Sequence, residues 1–162
     1  MDAGSARGVS TQQHEQELVI TRILNAPIDL VYTAWTQPTH LARWWGPAGF
    51  TNPVCEIDLR VGGAWLIVMR SPDGQEQLVR GVYREIVPPR RLVFTNVAMN
   101  PDGDATLDGV TTVTFDDLGG KTRLTLCARV RAMDGEAAIR LAGMDAGWSQ
   151  SLERLVDHVE RK

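Results

Sequence analysis

Apolar positions recur with period two through most of this chain, and with a period of three to four near its beginning and end. The run ELVITRIL (17–24) is β-branched and apolar, which predicts a strand. In NAPIDLVYTAW (25–35), Pro27 suits a first helical turn, and Leu30, Val31, Ala34 and Trp35 fall at helical spacing. QPTHLARWW (37–45) predicts a second short helix with Pro38 near its start. After Pro53 the period is two. Strands are predicted at 54–59, 64–70, 76–87, 92–97, 110–117 and 122–130. Between them lie turn-forming runs: RVGG (60–63), SPDGQ (71–75), PPRR (88–91), a longer loop AMNPDGDATLDG (98–109), and LGGK (118–121). In SPDGQ, Pro72 presets φ and Gly74 accepts a positive φ, so the flanking strands form a hairpin.

The strand at 122–130 is the most legible. Leu124, Leu126, Ala128 and Val130 share one face, and Arg123, Thr125, Cys127, Arg129 and Arg131 the other. One side is buried and one is wet, as in an antiparallel sheet covered on a single face. A long helix over about 134–160 ends the pattern, with Asp134 as N-cap. Leu141, Met144, Trp148, Leu152, Leu155 and Val159 form its apolar stripe. Arg140, Glu153, Arg154, Asp157 and Glu160 lie mostly off that stripe. The order is thus α+β: a strand, two short helices, a run of about seven antiparallel strands in all, and one long amphipathic helix. That helix is long enough to cover the apolar face of a bent sheet.

Composition adds bounds. The chain has 162 residues, enough for one domain over 16–162, and its 43% hydrophobic and 23% charged content is that of a folded globular protein. Residues 1–15 are small and polar and predict a disordered N-terminal tail. The formal net charge of −3 and the mixing of signs argue against a nucleic-acid partner. No stretch approaches the ~18 apolar residues of a membrane helix, and the first 16 residues have no apolar signal core. The two cysteines, Cys55 and Cys127, read as half-buried free thiols. The expected location is cytoplasmic.

Five motifs in order, AWTQPTHLARWWGPAGFT, DLRVGGAW, MRSPDG, GVYREIVPPRRLVFTN and GWSQSLERLV, resemble the family of homologues of the heat-shock protein 90 ATPase activator, within the START-like or SRPBCC superfamily. The resemblance covers about residues 17–160. It implies the helix-grip (START/Bet v 1-like) fold: a seven-stranded curved antiparallel sheet around a long C-terminal helix, with two short helices after the first strand. It also implies a hydrophobic-ligand space between helix and sheet, a cyclase, aromatase or hydrolase activity in a minority of relatives, and, from the family name, a chaperone partner and a role in the stress response.

Candidate ligand-binding residues follow from both readings. Trp44 and Trp45 are neighbours on a helix, so their rings point about 100° apart and have separate destinations. Gly46-Pro47 stops the helix behind them. One ring belongs to the core, while the other either caps the sheet edge or lines a cavity mouth. Trp65, Ile67 and Met69 share one strand face, and Val113 and Phe115 another. With Tyr83 and Phe94 from the sheet and Leu141, Met144 and Trp148 from the helix, they line a pocket or fill the core. Gly143 and Gly147 each weaken a helix by about 1 kcal/mol, which implies close approach of the sheet or room for a ligand.

Polar candidates are fewer. Glu56 and Asp58 could pair with Arg80 and Arg84. Asp145, Ser149 and His158 lack the strained elbow and the orienting partner of a catalytic triad. The three histidines, His14, His40 and His158, are isolated in sequence, and neither cysteine has a partner at metal-ligand spacing, so no metal or cofactor is expected. The leading expectation is a non-catalytic binder of a small apolar or amphipathic molecule. An enzyme using the same cavity and a protein-interaction module are the alternatives, and homodimerisation is left open.

Overall fold

The alternation seen in the 122–130 run extends across a whole sheet. The computed structural model describes residues 15–100, 102–133, 141 and 143–160. Its elements are β1 (Glu15–Leu24), α1 (Ile28–Thr36), α2 (Pro38–Trp44), β2 (Thr51–Ile57), β3 (Ala64–Arg70), β4 (Glu76–Val87), β5 (Arg91–Met99), β6 (Ala105–Asp117), β7 (Thr122–Ala132) and α3 (Met144–Glu160). The strands form one seven-stranded sheet in the order β1-β7-β6-β5-β4-β3-β2, with every neighbouring pair antiparallel. Consecutive strands from β2 to β7 are neighbours. β1 returns to pair with β7, so α1 and α2 carry the chain from one edge of the sheet to the other.

Register explains which residues are buried. Ile20, Leu126, Val113, Leu92 and Ile86 align across five strands on the inner face. The outer face carries rows such as Glu17–Arg129–Val110–Thr95. Helix α3 packs on the inner face and touches β1, α1 and α2. Leu152, Leu155 and Val159 are buried there, with Met144 and Trp148 partly buried along the same stripe. Full burial of a leucine such as Leu155 contributes about 2–3 kcal/mol. This is the helix-grip arrangement, with a curved sheet closed on its C-terminal helix.

Element bounds differ in places from the sequence pattern. β1 starts at Glu15, inside the expected tail; residues 1–14 lie outside the described residues, as do the expected cap Asp134 and residues 135–140. The 98–109 loop is much shorter than expected, because β5 runs to Met99 and β6 begins at Ala105. Gly109, read as a turn former, is a strand residue opposite Val130. A Cβ there would sit 2.4 Å from the Arg129 carbonyl, so its job is close strand approach, not turning. The strand expected at 54–59 instead covers Thr51–Ile57, and Asp58 leaves the sheet to pair with Arg60 at 2.9 Å.

Candidate functional site

The WWGP segment is where the site begins. α2 ends with Trp44, and Trp45 already has extended backbone angles (φ −65°, ψ 137°). Gly46 follows at φ +96°, a conformation that favours glycine. The two indoles diverge. Trp44 is fully buried, and its Nε1–H donates to the Ala34 carbonyl at 2.9 Å. Trp45 lies against Trp65 (5.6 Å between ring centroids) and edge-on to Trp148 (5.3 Å).

One face of α3 holds this turn in place. Arg154 Nη1 donates to the carbonyls of Trp45, Gly46 and Pro47 at 2.9–3.0 Å, and Nη2 to those of Arg43 and Phe50 at 3.1 Å. Ser151 Oγ accepts from Gly46 N (3.1 Å), and Gln150 Oε1 accepts from Ala48 N (3.0 Å). Residues 147, 150, 151 and 154 are one helical face. From the other side, Asn52 Nδ2 donates to the carbonyls of Ala42 and Trp45. Partial burial pulls the Arg154 guanidinium below its usual pKa, the cost of taking a cation from water.

The turn walls one end of an open cavity of about 180 Å³ between sheet and helix. Trp45, Gly46 and Pro47 form that end. Met69, Gln77, Val79, Asn96, Ala98, Leu107 and Val130 come from β3 to β7. Met144, Gly147, Trp148 and Ser151 come from α3. The lining is mainly apolar, with two amides and a hydroxyl. Ser151 Oγ is committed to Gly46 N and to the Gly147 carbonyl. Asn96 Oδ1 accepts from the buried Thr111 hydroxyl at 2.9 Å, which leaves its NH₂ as a donor. A Cβ on Gly147 would meet nothing within 4 Å. Of the two reasons for a helical glycine here, the structure therefore favours room over close packing. Gly143 precedes α3.

The twelve residues predicted to bind ligand divide into two groups. Trp45, Met69, Met144 and Trp148 border the cavity. Trp44, Trp65, Ile67, Tyr83, Phe94, Val113, Phe115 and Leu141 are buried in the core. Trp65 Nε1 donates to the Thr95 carbonyl, and Phe94 packs edge-on to Trp65 and Tyr83. Burial raises the Tyr83 hydroxyl pKa, with smaller contributions from Cys55 and Tyr32. A void of only about 10 Å³ remains among Trp35, Trp45, Trp65, Tyr83 and Phe94.

Sequence reasoning missed Gln77, Val79, Asn96, Ala98, Leu107 and Val130 as lining residues. Their inward parity on β4 to β7 was the available signal. Arg154 lies off the apolar stripe, and no local pattern in the sequence marks the part-buried role it takes at the turn.

The other polar candidates do not assemble. Asp58 pairs with Arg60, and Glu56 is exposed. Arg84 sits at the β4 bulge, where the register slips between Tyr83 and Glu85. Ser149 meets Asp145 at 3.3 Å on an exposed face, while His158 meets His40 at 3.0 Å, so the three do not converge. A larger concavity of about 760 Å³ lies on the outer face, where Arg129 and Arg131 sit opposite Glu17, Glu15 and Asp108. Among the described residues, no group of three His, Cys, Asp or Glu is placed to hold a metal, and no helix is long and apolar enough to cross a membrane.

Comparison with known proteins gives this geometry a lineage. A protein from Chromobacterium violaceum has a crystal structure similar to this chain (TM-score 0.76). The two are 31% identical over 89% of this chain and 96% of that one. A structure from Rhizobium leguminosarum matches with TM-score 0.78 at 26% identity, covering 91% and 96%. An AHSA1 protein from Silicibacter pomeroyi matches with TM-score 0.75 at 26% identity, covering 90% and 98%. No curated protein matches. The sequence model of one family matches residues 25–160, a span that includes the WWGP turn, the cavity walls and Arg154, and the chain belongs to that family, described as Activator of Hsp90 ATPase homolog 1-like protein.

Proposed function

We propose that this protein binds a small apolar or amphipathic molecule, without chemical conversion, in the space between the sheet and α3. The observation that carries this reading is the 180 Å³ cavity with walls from both layers, next to a helical glycine with open space above it. A closed cavity of about 150 Å³ lined by aliphatic and aromatic groups holds one benzene ring, and this one, which is open to solvent, has room for a ligand part of about that size. The described lining supplies hydrogen-bonding amides but no carboxylate, imidazole, amine or thiol. Such a lining orients a ligand, and its one hydroxyl, Ser151 Oγ, is held by Gly46 N and the Gly147 carbonyl with no base beside it in the lining. Membership of a superfamily whose fold commonly receives hydrophobic ligands points the same way.

The test fills the space. Freshly purified wild-type protein and Gly147→Leu would be examined by native mass spectrometry and titrated with single-ring probes, with probe binding followed by tryptophan fluorescence. The expected result is binding to the wild type and none to a folded Gly147→Leu variant. Equal binding by both would overturn this location, and no binding by either would overturn the function.

A further inference from the structure

Five tryptophans sit in or beside the core, and the hydrogen bonding of three of their Nε1 donors distinguishes them. Trp44 donates to Ala34, and Trp65 donates to Thr95. Trp35 is 3% exposed, and its Nε1–H is buried with no acceptor among the described residues. A buried donor left unsatisfied costs about 1–3 kcal/mol, a cost that an acceptor entering from outside the chain would remove. Trp35 borders the 10 Å³ void, which is about the size of one water molecule or one ligand atom.

That void and the cavity have one wall in common. Trp45 borders both. Its ring is 7% exposed and packs against those of Trp44, Trp65 and Trp148, and it stands between the two spaces, whereas Trp44 and Trp65 are each pinned by a hydrogen bond. Trp148, also in the cavity wall, stacks on Trp35 at 6.3 Å with the planes 21° apart. Trp35 is therefore one aromatic layer from the cavity, behind Trp45 and Trp148.

We propose that void and cavity are two ends of one binding site parted by Trp45, and that the ligand is a planar molecule of about one ring bearing a hydrogen-bond-accepting oxygen, which Trp35 Nε1 receives. This rests on the cavity being a binding site. It adds the ligand's polarity and the donor that reads it. A turn of the Trp45 ring opens the path, and the ligand's acceptor enters the void.

Two near-isosteric probes test it, acetophenone and α-methylstyrene, which differ in C=O against C=CH₂. With no donor waiting, the hydrocarbon binds more tightly, because the carbonyl must shed its water. With Trp35 waiting, acetophenone is preferred about tenfold. In ¹⁵N-labelled wild-type protein, the Trp35 indole N–H resonance moves downfield with acetophenone and not with α-methylstyrene. Trp35→Phe abolishes the preference while keeping α-methylstyrene binding. An unmoved Trp35 resonance, or a preference that survives Trp35→Phe, overturns the proposal and leaves the cavity reading intact, since Gln77 or Asn96 would then be the donor. Equal affinity for the two probes in the wild type likewise overturns it. If neither probe binds the wild type, both readings fail together. The resonance test uses the unmodified chain, so it decides even if Trp35→Phe does not fold.

Discussion

Replacing Arg154 with methionine isolates what its guanidinium does, because methionine keeps much of the apolar stem and removes all donors. Five carbonyls lose a partner. They do not lose equally. The bond to Arg43 is exposed, so that oxygen returns to water. Trp45 keeps Asn52, and Pro47 keeps the Phe50 amide at 3.1 Å. The carbonyls of Gly46 and Phe50 are left in part-buried positions. At about 1–3 kcal/mol for each stranded group, with water reaching part of the turn, the expected loss is about 3 kcal/mol. That is a large share of the ~5–15 kcal/mol that holds a domain together. Arg154→Lys should recover only part of it, about half, since an ammonium offers three donors from one point where the guanidinium presents five in a planar fork. Urea unfolding followed by tryptophan fluorescence measures both variants. Because the acceptors are neutral carbonyls, the loss should be the same in 0.1 M and 1 M sodium chloride, whereas a surface ion pair would fade with salt. A loss below ~0.5 kcal/mol, or a lysine variant as stable as wild type, would refute the strapping role.

Trp44→Ala should cost about 3–5 kcal/mol, and Trp148→Ala less than ~2 kcal/mol with a clear change in probe affinity; equal losses in urea unfolding would contradict their different burial. Gly81→Ala should not yield stable protein, because its Cβ would lie 1.7 Å from the Thr95 carbonyl oxygen, whereas Gly74→Ala, which is strained only by its φ of +91°, should lose about 1–2 kcal/mol; thermal melts of the two separate a steric clash from a torsional cost. Burial, with a smaller contribution from Glu56, pushes the Cys55 thiol up to about 11, so iodoacetamide should label it slowly at pH 8 and rapidly only as the pH nears 11, read by mass spectrometry. The same shift has a sign for stability: the folded state holds the neutral thiol while the unfolded chain ionises near 9, so stability should fall between about pH 9 and 11, with the raised Tyr83 and Tyr32 hydroxyls extending the fall upward. A flat denaturation midpoint across that window would count against the burial of all three.

Most of the fold is legible in the sequence, because period-two alternation and turn chemistry are local properties. Leu124, Leu126, Ala128 and Val130 announce their buried face, and the structure places all four inside. What misleads is glycine, which has two physical meanings. Gly74 and Gly109 look alike in sequence. One supplies a positive φ, and the other removes a Cβ from a close strand contact. Only the partner strand decides between them, so the 98–109 loop is overestimated.

The site is less legible for a related reason. Aromatic residues on inner faces fill space or line it according to what the opposite layer supplies, and that is non-local. Trp65, Tyr83 and Phe94 lie beneath α2 and the Trp45 ring, so they become core; Met69 and Val79, two same-face positions further along β3 and β4, line the open space beside Gly147. The hollow exists because two features coincide. α3 thins to a glycine over the sheet, and the WWGP turn is strapped back by Arg154 so that it walls the space without collapsing into it. Either feature alone would leave a flexible gap or a filled core. Loosening the strap should therefore weaken ligand binding through the position of Trp45, and filling Gly147 should abolish it with the strap intact. If Arg154→Met binds the single-ring probes as wild type does while losing stability, the strap serves folding alone, and the wall it positions is not part of the recognition surface.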